Sequence, residues 1–416
     1  MKIIRNISRV IVGLVFIFSG FVKGIDPLGS LYKFNDYFDA LGLRFLMPIS
    51  FFLGMILCTT EFITGIGLLT RYRIQFFSWL ALLFMAVFLP LTLYIAIANP
   101  VKDCGCFGDA LIMTNWQTFW KNIVLIIFTL IIFFNRKKFE PVYKPFTEWV
   151  VIGLITAGFV FFGIQNYRYL PVIDFRPYKL GTNIPEKMSI PADAPHDEYK
   201  TIFTYKNKKN GNLQEFDETN YPWQDTLGWE FVSYDNKLVK KGYEPPIHDF
   251  SITNSNGDII TDSVLGSNGY VFMLISYNVS KANQESMKKA QLIADYCKSD
   301  SMFRFFAITA STDAQIKRLR KKNNITYPLY SADEIMLKTV IRSNPGLVLL
   351  KNGTVIGQWP WRRMPSASEI NKQILSKTLN QQRICHNKLV IALSITLLFL
   401  VLLLIKPAVN SICKKS

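Results

Sequence analysis

The chain has 416 residues, room for two or three domains, and half of it is apolar. A formal charge of +17 raises the question of nucleic acid, but no nucleic-acid-binding signature accompanies it, and that partner class is set aside. Six cysteines are too few for a disulfide-rich scaffold.

Apolar runs predict six membrane spans, at about 8–24, 46–69, 74–97, 118–134, 148–164 and 388–406. The first is short and follows Lys2, Arg5 and Arg9, so a signal peptide competes with a retained helix. No small-residue cleavage site follows Phe21, and a retained helix is expected. Four basic groups then set the orientation: Lys2, Arg5 and Arg9; Arg71 and Arg73; Arg136, Lys137, Lys138 and Lys144; Lys406, Lys414 and Lys415. All four fall on one side when both termini are cytoplasmic, as the positive-inside bias requires. The loop between spans three and four and the soluble segment between spans five and six then lie outside, in an envelope compartment.

That loop reads Asp103-Cys104-Gly105-Cys106-Phe107-Gly108. A bridge between thiols one residue apart closes a tight ring, strained and therefore easily reduced, which is the property of catalytic disulfides. Three readings stand for Cys104 and Cys106: a redox pair, half of a metal site, or inert structural thiols. Closed zinc sites use four ligands, and the three histidines His196, His248 and His386 lie outside the membrane part, so no metal is expected. Asp103 and Asp109 raise a neighbouring thiol's pKa while Lys102 lowers it, and the sequence leaves the net direction open. Glu61 is a carboxylate inside an apolar span, costly unless it faces a partner or water. It is either a proton carrier or a structural contact to Arg71, Arg73 or a backbone group. Gly54, Gly65 and Gly67 read as helix-packing positions.

The run from Ile7 to Leu28, with Arg9, Ser19-Gly20 and Lys23, followed by Glu61 in Glu-Phe-Ile-Thr-Gly-Ile-Gly, resembles the DoxX and MauE group of four-helix membrane proteins. The Cys-Gly-Cys-Phe-Gly loop is similar to the MauE branch in particular. The resemblance covers roughly residues 5–135 and implies a four-helix membrane domain over 1–135. It also implies a link to maturation of disulfide-containing envelope proteins, as in methylamine utilisation, and a membrane quinone as electron acceptor with Glu61 as its proton carrier.

A fifth span is expected within 136–165 and a polar, weakly patterned linker or insert over 166–246. From Ile247 the pattern sharpens. Phe250–Ile260 reads as a hairpin around Asn256-Gly257-Asp258, Tyr270–Tyr277 as a buried strand and Ser280–Cys297 as an amphipathic helix. A strand over Phe303–Thr309, a helix over Thr312–Asn323, a hairpin of Leu347–Leu350 with Thr354–Trp359, and a helix from Ser366 follow. This order resembles the thioredoxin-like domains of the peroxiredoxin and TlpA type, over about 247–376, with Asn344-Pro345 where that fold carries its cis-proline. Where the family places Cys-x-x-Cys, the chain reads Asn278-Val279-Ser280-Lys281-Ala282-Asn283. Cys297 reads as a packed thiol, and Cys385, at the edge of the last span, as a candidate resolving thiol.

The expected fold class is therefore an α-helical polytopic membrane domain, a DoxX-like core plus two further spans, joined to an α/β thioredoxin-like extracytoplasmic domain at 247–380. The location is the plasma (inner) membrane, with the lipid bilayer and envelope protein clients as partners. Two functions compete. One is a thiol–disulfide oxidoreductase built on Cys104, Cys106 and Glu61. The other is a non-catalytic scaffold whose thioredoxin-like domain binds an envelope partner.

Overall fold

The computed structural model describes residues 2–101, 103–142 and 144–370, so the expected span at 388–406 and Cys385 lie outside the described residues. The described chain divides into two compact units, residues 183–250 and the remainder.

The larger unit begins with the membrane helices α1 (Lys2–Ile25), α2 (Pro27–Ala40), α3 (Ser50–Thr70), α4 (Ile74–Ala98), α5 (Asn115–Phe134) and α6 (Pro145–Tyr169). Five of the helical segments are long and apolar enough to cross a membrane, with the shorter α2 between the first and second of them. The chain is a multi-pass membrane protein, and side chains such as Phe52, Ile56, Leu83, Ile97 and Leu154 are exposed on these helices, as a bilayer-facing surface requires.

Within the bundle, α1 and α3 approach closely because glycines face each other. A Cβ on Gly20 would stand 2.6 Å from the Cys58 carbonyl oxygen and the Phe62 amide, and one on Gly65 would stand 2.6 Å from the Gly13 carbonyl oxygen. Small residues at such crossings let backbones touch where no hydrophobic force distinguishes helix from lipid. The Arg9 guanidinium donates to the Leu68 carbonyl at 2.8 Å, satisfying the C-terminal end of α3. Asn122 on α5 donates to Thr92 Oγ1 on α4 at 3.2 Å, a buried polar tie between spans. Pro90 stays inside a continuous α4. Phe159 of α6 stacks on Phe62 at 4.2 Å, fixing the fifth span against the core.

The same unit continues after residue 250 as a thioredoxin-like domain. The elements are α8 (Thr261–Leu265), β4 (Tyr270–Ser276), α9 (Gln284–Ser299), β5 (Phe303–Thr309), α10 (Asp313–Asn323), β6 (Leu329–Ser331), α11 (Glu334–Val340), β7 (Gly346–Lys351) and β8 (Thr354–Pro360). The sheet has its strands in spatial order β6-β5-β4-β7-β8. Strands β4, β5 and β6 run parallel through helical crossovers, and β7 and β8 return antiparallel. Phe272, Leu274, Met287, Ile293, Leu347 and Leu349 fill the core. Cys297 is buried there, and burial pushes its thiol up to about 12, so it is a packing residue. The Asn344–Pro345 peptide is cis.

Three details extend or refine the expectations. Phe250–Ile260 reverses around Asn256-Gly257-Asp258 as expected, as a minimal antiparallel pairing of Thr253 with Ile259, with the Asn254 side chain holding the amides of Asn256 and Asp258. A short strand, β6, and a short helix, α11, stand between α10 and β7; three and seven residues carry too little periodicity to be seen. The helix expected from Ser366 opens on a capping box and one 3-10 turn over Ala367–Glu369, and the rest of that segment lies outside the described residues.

The smaller unit, residues 183–250, holds α7 (Ile184–Met188) and an antiparallel sheet of β1 (Glu198–Asn207), β2 (Leu213–Asp217) and β3 (Trp229–Lys240) in order β2-β1-β3. Aromatic pairs join it: Phe203 stacks on Tyr221 at 4.5 Å, and Phe216 meets Trp229 edge-on at 5.0 Å. Alternation in these strands is blurred because β3 is exposed along nearly its whole length.

The close crossing of α1 and α3 gives a direct check. Gly20→Val forces atoms into backbone and should destabilise the protein by about 1–3 kcal/mol or more, read as a lower thermal midpoint in detergent. Gly153→Ala, where no atom stands within 4 Å, should leave the midpoint unchanged.

Candidate functional site

The connection from α4 to α5 carries the two thiols, and backbone geometry explains its residues. Gly105 and Gly108 adopt φ of +65° and +51°, the left-handed region that disfavours a side chain. Asp103 accepts the Gly105 amide at 2.9 Å, and the Gly108 amide reaches the Gly105 carbonyl at 3.1 Å. The turn brings the sulfurs of Cys104 and Cys106 to 2.8 Å, both as free thiols. Closing them into a bond of about 2.05 Å needs little movement of either side chain.

Two helices grip this loop. On α2, Lys33 pairs with Asp103 at 2.8 Å, and the Tyr37 hydroxyl donates to the Cys104 carbonyl. Lys33 and Tyr37 are four residues apart, so both project from one helix face. On α1, Ser19 and Lys23 repeat that spacing. The Ser19 hydroxyl lies 2.9 Å from the Cys106 carbonyl and 3.0 Å from a Glu61 carboxylate oxygen. Lys23 donates to both Glu61 oxygens at 2.8 Å and to Ser19 at 3.1 Å. Phe107 packs against Phe18 at 5.3 Å and lies 4.4 Å from the Lys121 ammonium.

The structure thus brings Cys104, Cys106 and Glu61 into one hydrogen-bonded assembly. Glu61 has only 1 % of its surface exposed, and its partner is Lys23, not Arg71 or Arg73. Sequence reasoning left Lys33, Tyr37, Lys121 and Lys23 without roles. The i, i+4 pairs Ser19/Lys23 and Lys33/Tyr37 were the available signal, but which residue faces the loop depends on how the helices pack.

The electrostatics separate the two sulfurs. A hydrogen bond with the Cys104 thiol favours the Cys106 thiolate and outweighs burial, and the ammonium groups of Lys121 and Lys23 add to it, so Cys106 lies below the ordinary thiol range. Cys104 is held well above the ordinary thiol range, first because it is the donor in that bond and then because it is buried. Burial likewise holds the Tyr37 phenol protonated, so it remains a donor to the loop.

Residues 1–135 match the family model of methylamine utilisation protein MauE. The MauE-like region therefore ends with α5, and it contains the whole assembly of loop, Ser19, Lys23 and Glu61. Residues 199–241 match a family model described only as a domain of unknown function. No curated protein matches the chain. Solved structures similar to the thioredoxin-like domain include a thioredoxin-like protein from Aeropyrum pernix, 14 % identical, covering 31 % of this chain and 89 % of that one with a TM-score of 0.25. A thioredoxin-family thiol:disulfide interchange protein from Chlorobium tepidum is 16 % identical over 32 % of this chain and 93 % of its own, with a TM-score of 0.25. A thiol:disulfide interchange protein from a Bacteroides species is 11 % identical over 31 % and 85 %, also at 0.25.

The thiolate assignment sets a pH dependence. In the reduced protein, alkylation at Cys106 should rise with pH through a midpoint below the ordinary thiol value and level off above it. Cys104→Ala, which removes the donor, and Lys121→Met should each move that midpoint upward, measured by residue-resolved alkylation rates. A midpoint near the unperturbed thiol value of about 8.5 in the wild type contradicts the assignment.

Proposed function

We propose that the protein is a membrane thiol–disulfide oxidoreductase acting on envelope proteins through the Cys104–Cys106 pair. The observation that carries this reading is the 2.8 Å approach of two thiols in a loop whose carbonyl shares a serine with a buried ion pair. A client thiolate attacks Cys104 of the oxidised pair, and Cys106 leaves as the thiolate because the more acidic sulfur is the better leaving group. The second client thiol then attacks the mixed disulfide, releasing an oxidised client and leaving Cys104 and Cys106 reduced. Two electrons and two protons must then leave the pair.

The MauE and DoxX resemblance points to a membrane quinone as the acceptor, which when bound would supply that two-electron, two-proton capacity. Ser19, Lys23 and Glu61 suit such an acceptor in one respect, since they hold a buried proton donor and acceptor beside the loop. In this reading Glu61 takes up a proton from the loop side and Lys23 holds its charge between turnovers.

The proposed orientation has the loop outside and the termini inside. It is supported by the gathering of Arg9 on the Leu68 carbonyl and of Arg73 beside Glu148 and Trp149 at the bundle end opposite the loop. A scaffold reading draws on one observation: Asn278–Asn283, after β4, contains no thiol. That segment bears on the outer domain alone and leaves the loop chemistry intact.

In cells expressing the full chain, Cys104→Ser should abolish mixed disulfides with envelope proteins, and Cys106→Ala, which removes the bridge that the client attacks, should abolish client oxidation as well. Glu61→Gln should retain the mixed disulfide and slow reoxidation by about 10²-fold or more, the scale of a lost proton-transfer group. Client oxidation that continues unchanged in Cys104→Ser removes the proposal.

A further inference from the structure

An ion-pair network joining the two parts of the larger unit lies beside the cis-proline. Arg342, two residues before Asn344, has 8 % of its side chain exposed. Its guanidinium donates to Asp26 at 2.8 Å and to Asp109 at 3.0 Å. Around it, Lys338 of α11 lies 4.8 Å from the Tyr32 ring and 5.4 Å from the Tyr277 ring, and these two rings meet edge-on at 6.4 Å. Arg176 donates to the Thr339 carbonyl at 3.1 Å and pairs with Asp174, bracing α11 from behind.

Both acids that Arg342 holds belong to the grip on the thiol loop. Asp26 caps α2 by accepting the Gly29 amide at 2.9 Å, and α2 is the helix whose Lys33 and Tyr37 hold Asp103 and Cys104. Asp109 stands in the 3-10 turn directly after the Cys-Gly-Cys-Phe-Gly run. One guanidinium therefore ties the helix on one side of the loop to the turn on the other. Burial raises both carboxyls; at Asp26 it is outweighed by Arg342 together with Arg176 and the Gly29 amide, which hold that carboxyl below its usual range, while Asp109 stays above. A buried cation shared by two acids is costly to leave half-paired, so the contact is close to all-or-none.

We propose that the cis-proline edge of the thioredoxin-like domain is a docking surface for this chain's own membrane loop, keyed by Arg342 to Asp26 and Asp109, and that docking limits the access of other molecules to Cys104 and Cys106. A partner that reaches the thiols must displace this edge or approach past it. The partner that fits the edge is an acidic pair flanking an aromatic ring, the pattern that Asp26, Asp109 and Tyr32 present. Arg342 is thus a positioning residue acting through α2 and the turn. The inference requires only that the two thiols react with an alkylating agent, so its failure is distinguishable from failure of the thiol-exchange reading.

The test uses full-length reduced protein in membranes at about pH 8, where Cys106 is ionised, and follows alkylation of each cysteine by an impermeant maleimide. Arg342→Ala should raise the rate at Cys104 and Cys106 about tenfold or more, since removing one partner of a buried charge network opens it. Arg342→Lys, which keeps the charge but not the two-acid fork, should lie between wild type and Arg342→Ala. Buried Cys297 reports whether the domain stays folded. If Arg342→Ala exposes Cys297, the membrane-side variant Asp26→Asn with Asp109→Asn carries the same test with the thioredoxin-like domain unaltered. Unchanged or slower labelling of the loop thiols in variants that keep Cys297 protected overturns the proposal.

Discussion

The ion pair of Lys23 with Glu61 is the interaction on which the membrane half depends. A lone carboxylate at the middle of an apolar span costs at least about 2.5–3.5 kcal/mol on insertion scales, and the cost falls when a partner cation takes its charge. Lys23 does so with both Glu61 oxygens at 2.8 Å, and Ser19 adds a hydroxyl at 3.0 Å. The pair can exist only because α1 and α3 touch through Gly20 and Gly65, which leave room for no side chain at the crossing. Packing therefore comes first, the pair follows, and the thiol loop rests on the pair through the Cys106 carbonyl.

Around that fixed point the loop is held from several directions by groups of different chemistry. Charge acts through Lys33 on Asp103, a neutral hydrogen bond through Tyr37 on Cys104, and an aromatic seat through Phe18 and Lys121 on Phe107. The consequence for reactivity is asymmetry. Cations gather on the Cys106 side, while Cys104 keeps its proton as the donor in the contact between the sulfurs. A pair with one acidic and one less acidic sulfur has a defined leaving group, which a symmetric pair lacks. The thioredoxin-like domain adds its cis-proline edge to this arrangement through Arg342, so the soluble half bears on the loop although Asn278–Asn283 offers no thiol of its own.

Much of this was legible in the chain where the pattern was long or the chemistry local. The membrane helices were visible because twenty apolar residues have few alternatives, and β4, β5 and the β7–β8 hairpin because each is a compact apolar run with clear turns. Asn344-Pro345 was visible through its position before a strand. The Cys-Gly-Cys run announced a tight turn through its glycines. Contacts between elements distant in sequence were not legible. Glu61 was set against Arg71 and Arg73, its neighbours in sequence, whereas helix packing gives it Lys23, 38 residues away. Arg342 finds Asp26 across 316 residues, and no periodicity or spacing rule reaches that far. The sheet at 198–240 was obscured for another reason: β3 is exposed along nearly its whole length and so lacks the alternation that marks a half-buried strand.

The account's central claim concerns one couple, the two sulfurs of Cys104 and Cys106, and equilibrium titration tests it most directly. Full-length protein is equilibrated in thiol–disulfide buffers, and the fraction of each cysteine protected from alkylation is read by mass spectrometry. The account predicts that Cys104 and Cys106 move together as a single two-electron couple with a midpoint between about −100 and −270 mV, the span of proteins that exchange disulfides. Two thiols that never oxidise together, or a bridge that persists well below that span, contradict it.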